Sequence, residues 1–229
     1  YNLIVVDICS IRSDRMSLNG YDRLTTANLD EFARDAYIFD NFWTESGWCL
    51  PNFATMLTGT RPEKHQMVLR AGPTFTGRLS DSLITLAEVL KKKNFLTAAF
   101  SGSRFLVPGT YGLERGFDLF INPYTSLHEV MGSASFEENL PDVKKWLEEN
   151  KEKTFFLYLT VDDLHSPYHA DDPKLFYRDY KGVLDKIQVD TVFGRVYNGE
   201  KIQAPLTKEL FDAVKEVKNN PTHLKYLIA

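Results

Sequence analysis

A chain of 229 residues that is 43% hydrophobic and 25% charged has the balance of a folded globular protein and enough length to bury a real core, which excludes a disordered or fibrous polypeptide. Its formal charge of −4 supplies no basic surface for nucleic acid, and no apolar run approaches the length that spans a bilayer. Two cysteines, Cys9 and Cys49, are too few for a disulfide scaffold and enough for one bridge or one reactive site.

In chain order, Leu3-Ile4-Val5-Val6-Asp7-Ile8 is an apolar run without alternation, which predicts a strand covered on both faces in the middle of a parallel sheet. Asn28-Leu29-Asp30-Glu31 has the form of a capping box, and Leu29, Phe32, Ala33 and Ala36 repeat at the spacing of a helix packed by one face. Residues 37–43 read as an aromatic strand. Leu83, Leu86, Ala87 and Leu90 stripe a helix over 82–93, with three lysines at its negative end and Asn94 as its stop. A strand over 95–100, a helix with Pro141 near its start carrying Val143, Trp146 and Leu147, and a strand over 154–161 follow. Past His165 the pattern weakens to helical pieces near 173–180 and 206–217.

Strand and helix alternating at this spacing predict an α/β sandwich around a mostly parallel sheet, and the lack of a linker or repeat predicts one domain over 1–229. The chain starts at Tyr1, not Met, and stops at Ala229 within an uncapped apolar segment. These ends predict part of a longer protein, incomplete at the C-terminal end, with a cleaved secretory signal as one source of the missing start.

The stretch Trp48-Cys49-Leu50-Pro51 carries the first chemical signal. Pro51 suits a first helical turn, which places Cys49 at the positive end of a helix, where free N–H groups favour a thiolate or an oxyanion. A small buried structural thiol is the other reading of the same residue, and both stay open here. Cys9 falls just past the carboxyl end of the first strand, where open α/β sheets hold ligands, and Asp7 sits two residues back on the same face.

The stretch "NLIVVDICSIRSDRMSLNGYDRLTTANLDEFARDAYIFDNFWTESGWCLPNFATMLTGTRPEKHQM" resembles the amino-terminal region of the sulfatase family, within the alkaline phosphatase superfamily. The likeness continues through "TAAFSGSRFLVPGTYGLERGFDLF" and "FFLYLTVDDLHSPYHADDPKLFY", with Gly-Tyr-x-Arg-x-Thr-Thr, Leu-Thr-Gly, Gly-Phe-Asp and His-x-Pro-Tyr in that order. What the resemblance implies is an alkaline-phosphatase-like three-layer sandwich and a hydrolase of sulfate esters, or of related phosphate or phosphonate esters. In such enzymes the cysteine of a Cys-x-Pro-x-Arg motif becomes formylglycine, whose hydrate attacks sulfur beside a divalent cation, usually calcium. On that resemblance Cys49 is the nucleophile position, His165 the substrate-binding or proton-donating histidine, with a histidine that caps a strand end as its alternative, and Lys64 and His65 substrate-binding residues, an exposed turn being their alternative. Arg12 and Asp14 match an Arg-x-Asp pair and are expected to form an ion pair.

The chain departs from the family at three places. Aligned from Asn2 or from Gly20-Tyr21, the first metal-binding aspartate falls on Cys9, not on Asp7; Phe53 stands where the motif has arginine; and "AAFSGSRFLV" has no Gly-Lys-x-His element. The family's remaining metal ligands belong to a segment after residue 229. Asp7 and Cys9 are therefore the expected metal-side residues, and convergence of Cys9 and Cys49 on one cation would bring the two sulfurs face to face, as a disulfide or as a thiolate pair that suits zinc better than calcium. The implied partner is a small-molecule or carbohydrate sulfate ester met in the periplasm or outside the cell. A non-catalytic relative with a binding or scaffold role is the rival expectation.

Overall fold

The sheet is built around its most apolar segment. In the computed structural model, which describes residues 1–68, 77–124 and 135–165 and the backbone of 196–197 and 200–201, β4 (Phe155–Val161) lies between β1 (Leu3–Ile8) and β2 (Leu96–Ser101), with β3 (Leu119–Ile121) outside β2. All three pairings are parallel. Six of the seven β4 residues are buried, as a strand enclosed by neighbours and covered on both faces must be.

Alternation along the strands sorts the core into two layers. Phe156 and Tyr158 of β4, Ala99 of β2 and Val5 of β1 face α2 (Cys49–Thr58) and α4 (Leu86–Lys91), where Leu50, Phe53, Ala54, Leu57 and Ala87 close the contact. The opposite face places Leu157, Leu159, Ala98 and Phe100 against Val143 and Trp146 of α5 (Phe136–Asn150). Helix, sheet and helix make the three-layer α/β sandwich, each layer burying a side that the next one needs.

Several sequence expectations shift. β1 has its expected bounds but is the edge strand of the described sheet, and Ile4 and Val6 remain 49% and 54% exposed, because α5 covers β4 and β2 on that face and no described element reaches β1. α1 (Ala27–Ala33) starts after Thr26, so Asn28 lies inside it, and Asp30 rather than Glu31 is the acid that holds the helix start, accepting from Ser17 Oγ at 2.6 Å and Thr26 Oγ1 at 2.7 Å. Residues 37–43 form no strand; no described strand runs beside them to take up their backbone bonds, and Tyr37, Phe39, Phe42 and Trp43 are exposed.

α4 starts at Leu86, later than expected, because Thr85 and Glu88 form a reciprocal capping box: Glu88 N–H donates to Thr85 Oγ1 at 3.1 Å and Thr85 N–H to Glu88 Oε2 at 2.8 Å. Asn94 ends that segment in the left-handed region, φ 63°. α5 starts before Pro141, at Phe136, with Ser135 as its N-cap, whose hydroxyl accepts from Glu137 N–H. A short α3 (Pro62–His65) follows α2.

The chain gathers into two compact units, Tyr1–His165 and Ser166–Ala229. The second contains the antiparallel pair β5 (Val196–Tyr197) and β6 (Glu200–Lys201). The helical pieces expected near 173–180 and 206–217 lie outside the described residues.

Candidate active site

Cys49 is the first residue of α2. Trp48 precedes it in extended conformation, φ −153° and ψ 165°, and makes no side-chain cap bond to the helix. Pro51 occupies the first turn, where its lack of an N–H costs nothing. The approach to the helix is held by Asn52, whose amide donates to Ser46 O at 2.8 Å and accepts from Ser46 N–H at 3.1 Å, and by Trp48 edge-on to Phe105. At the far end Gly59 takes φ 64° and its N–H bonds Thr55 O. Local sequence thus aims the positive end of a ten-residue helix with a sulfur at its tip.

Cys9 arrives from the sheet. The β1–β4 register pairs Asp7 with Thr160 and Ile8 with Val161, and Cys9 N–H continues the ladder by donating to Val161 O at 2.9 Å. The face that is apolar at Val5, Phe156 and Tyr158 therefore turns polar at its carboxyl end. There Cys9 Sγ and Cys49 Sγ meet at 3.1 Å, both half-buried free thiols.

The pair titrates as a unit. Cys9 S–H donating to the Cys49 sulfur pulls Cys49 down to about 7, opposed by burial and Asp162 and assisted by the positive sides of His165 and Arg104. The same hydrogen bond, with burial and the negative charge of Cys49, pushes Cys9 far up. One proton leaves this pair readily and the second is retained.

Two carboxylates lie on the same rim. Burial raises the pKa of Asp7, offset in part by the Tyr158 hydroxyl, which donates to Asp7 Oδ2 at 3.0 Å. Asp162, one residue past β4, is 2% exposed, and among the described residues neither of its carboxylate oxygens meets a hydrogen-bond partner. Burial raises its pKa too, with Cys9 and Ser103 close enough to offset only part of the cost. Its neighbour Asp163 serves the fold instead, accepting from Ser135 Oγ at 2.6 Å and from Phe136 N–H at 3.0 Å and so holding the start of α5.

The expected site residues divide accordingly. Cys9, Cys49 and Asp7 come to one end of the sheet, and His165, whose N–H bonds Asp162 O at 2.8 Å, stands within electrostatic reach of Cys49. His65, expected to bind substrate or lie in an exposed turn, is buried. It is 3% exposed; its Nδ1 accepts from Met67 N–H at 2.9 Å, which leaves Nε2 to donate to Thr55 Oγ1 at 3.1 Å. Burial lowers its pKa and keeps the ring neutral, so it braces α3 against α2. Lys64 is exposed on α3. Arg12 and Asp14 form the expected ion pair, Nε to Oδ1 at 3.0 Å and Nη2 to Oδ2 at 2.7 Å, on the surface.

Sequence reasoning missed Asp162 and Arg104. An acid directly after a seven-residue apolar strand was a usable signal for Asp162, but the doublet Asp162-Asp163 hid which one was capping a helix. Arg104 lies in "AAFSGSRFLV", the segment without a Lys-His element, and supplies a cation there.

A calcium ion takes six to eight oxygen ligands. This rim offers Asp7 and Asp162, while the position where the resemblance places the first aspartate holds the Cys9 sulfur, turned to Cys49. Among the described residues no group of three or more His, Cys, Asp or Glu has the arrangement of a metal site. Asp162 would suit a cation; among the described donors the Cys9 sulfur does not suit calcium.

Comparison with known proteins agrees with this architecture. The chain is 27% identical over 127 residues to arylsulfatase G of Mus musculus, covering 55% of this chain and 24% of that one. It is 26% identical over 196 residues to N-acetylgalactosamine-6-sulfatase of Homo sapiens, covering 66% and 37%. It thus spans well under half the length of these curated relatives. The crystal structure of the phosphonate monoester hydrolase of Agrobacterium radiobacter superposes with a TM-score of 0.61 at 16% identity, over 93% of this chain and 55% of that one, a likeness of fold. With the Sulfatase family model matching residues 2–188, the chain belongs to the sulfatase family.

Proposed function

We propose that this chain carries the nucleophile side of a sulfate ester hydrolase, with related phosphate or phosphonate esters within reach of the same geometry. The observation that carries the reading is Cys49 at the amino terminus of α2, facing the carboxyl ends of β1 and β4. The N–H groups of the first turn suit an anionic ester head, and Arg104 adds positive charge on the same side, with His165 within electrostatic reach of Cys49. Cys49 is the precursor of the attacking group, by the family's conversion to formylglycine in the finer form of the reading. His165 donates the proton that the leaving oxygen requires. Carbohydrate sulfates are the natural substrate class, given relatives named for arylsulfate and N-acetylgalactosamine-6-sulfate chemistry, and a periplasmic or extracellular setting suits them. No helix among the described residues is long and apolar enough to cross a membrane.

The test is turnover of an aryl sulfate by the protein, with Cys49→Ala and His165→Ala each expected to lower it by at least about 100-fold. A protein silent across sulfate, phosphate and phosphonate esters overturns the hydrolase reading.

A second reading, a family member that keeps the fold without turnover, is favoured by two observations. Cys9 stands where the resemblance places a hard oxygen ligand, and Phe53, four residues after Cys49, is packed in the core beneath α2, so this helix has no room for the motif's arginine on that side. Peptide mass separates the readings: formylglycine at 49 makes its peptide about 18 Da lighter, and the non-catalytic reading expects the encoded mass.

A further inference from the structure

We propose that Cys9 and Cys49, as encoded thiols, form a reversible disulfide that ties the carboxyl end of β1 to the amino end of α2. These are the only two cysteines of the chain, 40 positions apart in sequence, and their sulfurs sit 3.1 Å from each other. A disulfide bond is about 2 Å long, so rotation about the two side chains has roughly 1 Å to close. Each partner is delivered by a fixed element. Cys9 is held in register by its own N–H on Val161 O, and Cys49 by the Asn52–Ser46 clamp and the contact of Trp48 with Phe105. Both thiols are half-buried, which leaves a path for a small disulfide.

The alternative use of two facing sulfurs is a soft cation, and the geometry disfavours it. Tetrahedral zinc holds its sulfurs roughly 3.8 Å apart and needs two further ligands. These sulfurs are closer than that, and no metal arrangement of three or more ligands exists among the described residues. The position where the family holds a hard cation is, in this chain, a redox pair.

The oxidant is a small-molecule disulfide of the glutathione class. The Cys49 thiolate attacks one of its sulfurs, breaking that S–S bond, and the first thiolate leaves; the Cys9 sulfur then attacks the Cys49 sulfur of the mixed disulfide and expels the second. One S–S bond is made and one broken, the chain loses two electrons and two protons, and the oxidant becomes two thiols. The bond would withhold Cys49 from conversion to the attacking group, a consequence that rests on the function proposed above; the bond itself does not.

The native protein is equilibrated in buffers of increasing oxidised-to-reduced glutathione ratio, quenched with acid, and its intact and peptide masses are measured. The expected product is a species about 2 Da lighter, with the Cys9 and Cys49 peptides joined, reversed by dithiothreitol and melting at a higher temperature than the reduced chain. Cys9→Ser, where it folds, is expected to stop at glutathione attached to Cys49. Two intact thiols, one glutathione on each cysteine, a bond that forms only in denaturant, or a chain already converted to formylglycine at position 49 each overturn the proposal. Thiol mass reads the bond without reference to turnover, so a chain that forms it yet hydrolyses no ester in either state sinks the hydrolase reading and leaves the bond standing.

Discussion

On its inner face β1 packs Val5 against the core under α2 and ends in Asp7 and Cys9, each meeting a side chain from another element. On its outer face Ile4 and Val6 stay about half exposed, and the 37–43 segment, which reads just as apolar, leaves its aromatic rings bare. The residue types hardly differ between the two settings. What differs is whether a described neighbour completes the contact, and a strand's own sequence records its need for cover without recording which element supplies it.

The inner side is the one that substitution should damage most. Gly116 takes φ 90°, a conformation that L side chains rarely adopt, and a Cβ there would fall on the backbone of Ala87 and Glu88 at the start of α4. Gly116→Ala is expected to cost about 4 kcal/mol or more, read as a collapse of the melting temperature or of soluble yield. A variant that melts like the parent would show that α4 is not seated against this turn.

The same glycine explains what was legible in the sequence. In the Gly-Phe-Asp motif, Gly116 admits the helix, Phe117 stacks on Phe156 in the core, and Asp118 accepts from the Thr97 N–H and hydroxyl, both at 3.0 Å. In the Gly-Tyr-x-Arg-x-Thr-Thr motif, Tyr21 lies beneath the guanidinium groups of Arg15 and Arg23, while Thr26 bonds Asp30. These motif residues are architectural, which is why they announce the fold so clearly. The reactive rim is assembled from single residues on separate elements, and only Cys9, Cys49, Asp7 and His165 had a pattern to mark them. Asp162 and Arg104 gain their significance from the β1–β4 register and from a turn after β2, and His65 could not be told from a surface histidine until Met67 and Thr55 were seen to occupy its ring.

Asp162 sharpens the comparison in the opposite direction, since it is fully enclosed and yet works against stability. A carboxylate whose burial is only partly offset by Cys9 and Ser103 disfavours its charged form, and its folded pKa lies above the unfolded value near 3.8. Between those two values the native state binds more protons than the unfolded one, so stability falls as pH rises from the unfolded toward the folded pKa, and the loss persists at neutral pH. Asp162→Asn is expected to stabilise the protein at pH 7 by roughly 1 kcal/mol and to flatten the acid limb of its melting profile. Lower stability at pH 7 would show that the carboxylate has a partner in solution and serves the fold.

The smallest expected effect belongs to the bare aromatic segment. Trp43 is 83% exposed and Phe39 78% exposed, so Phe39→Ser and Trp43→Ser remove side chains that bury little apolar area against the described residues. Each substitution is expected to move unfolding free energy by less than about 0.5 kcal/mol, measured by denaturant midpoint at constant slope. A loss of several kcal/mol, or a change in slope, would mean that these rings are covered in solution. The contrast with the inner face would then vanish, since a buried aromatic side chain costs about 3–5 kcal/mol to remove.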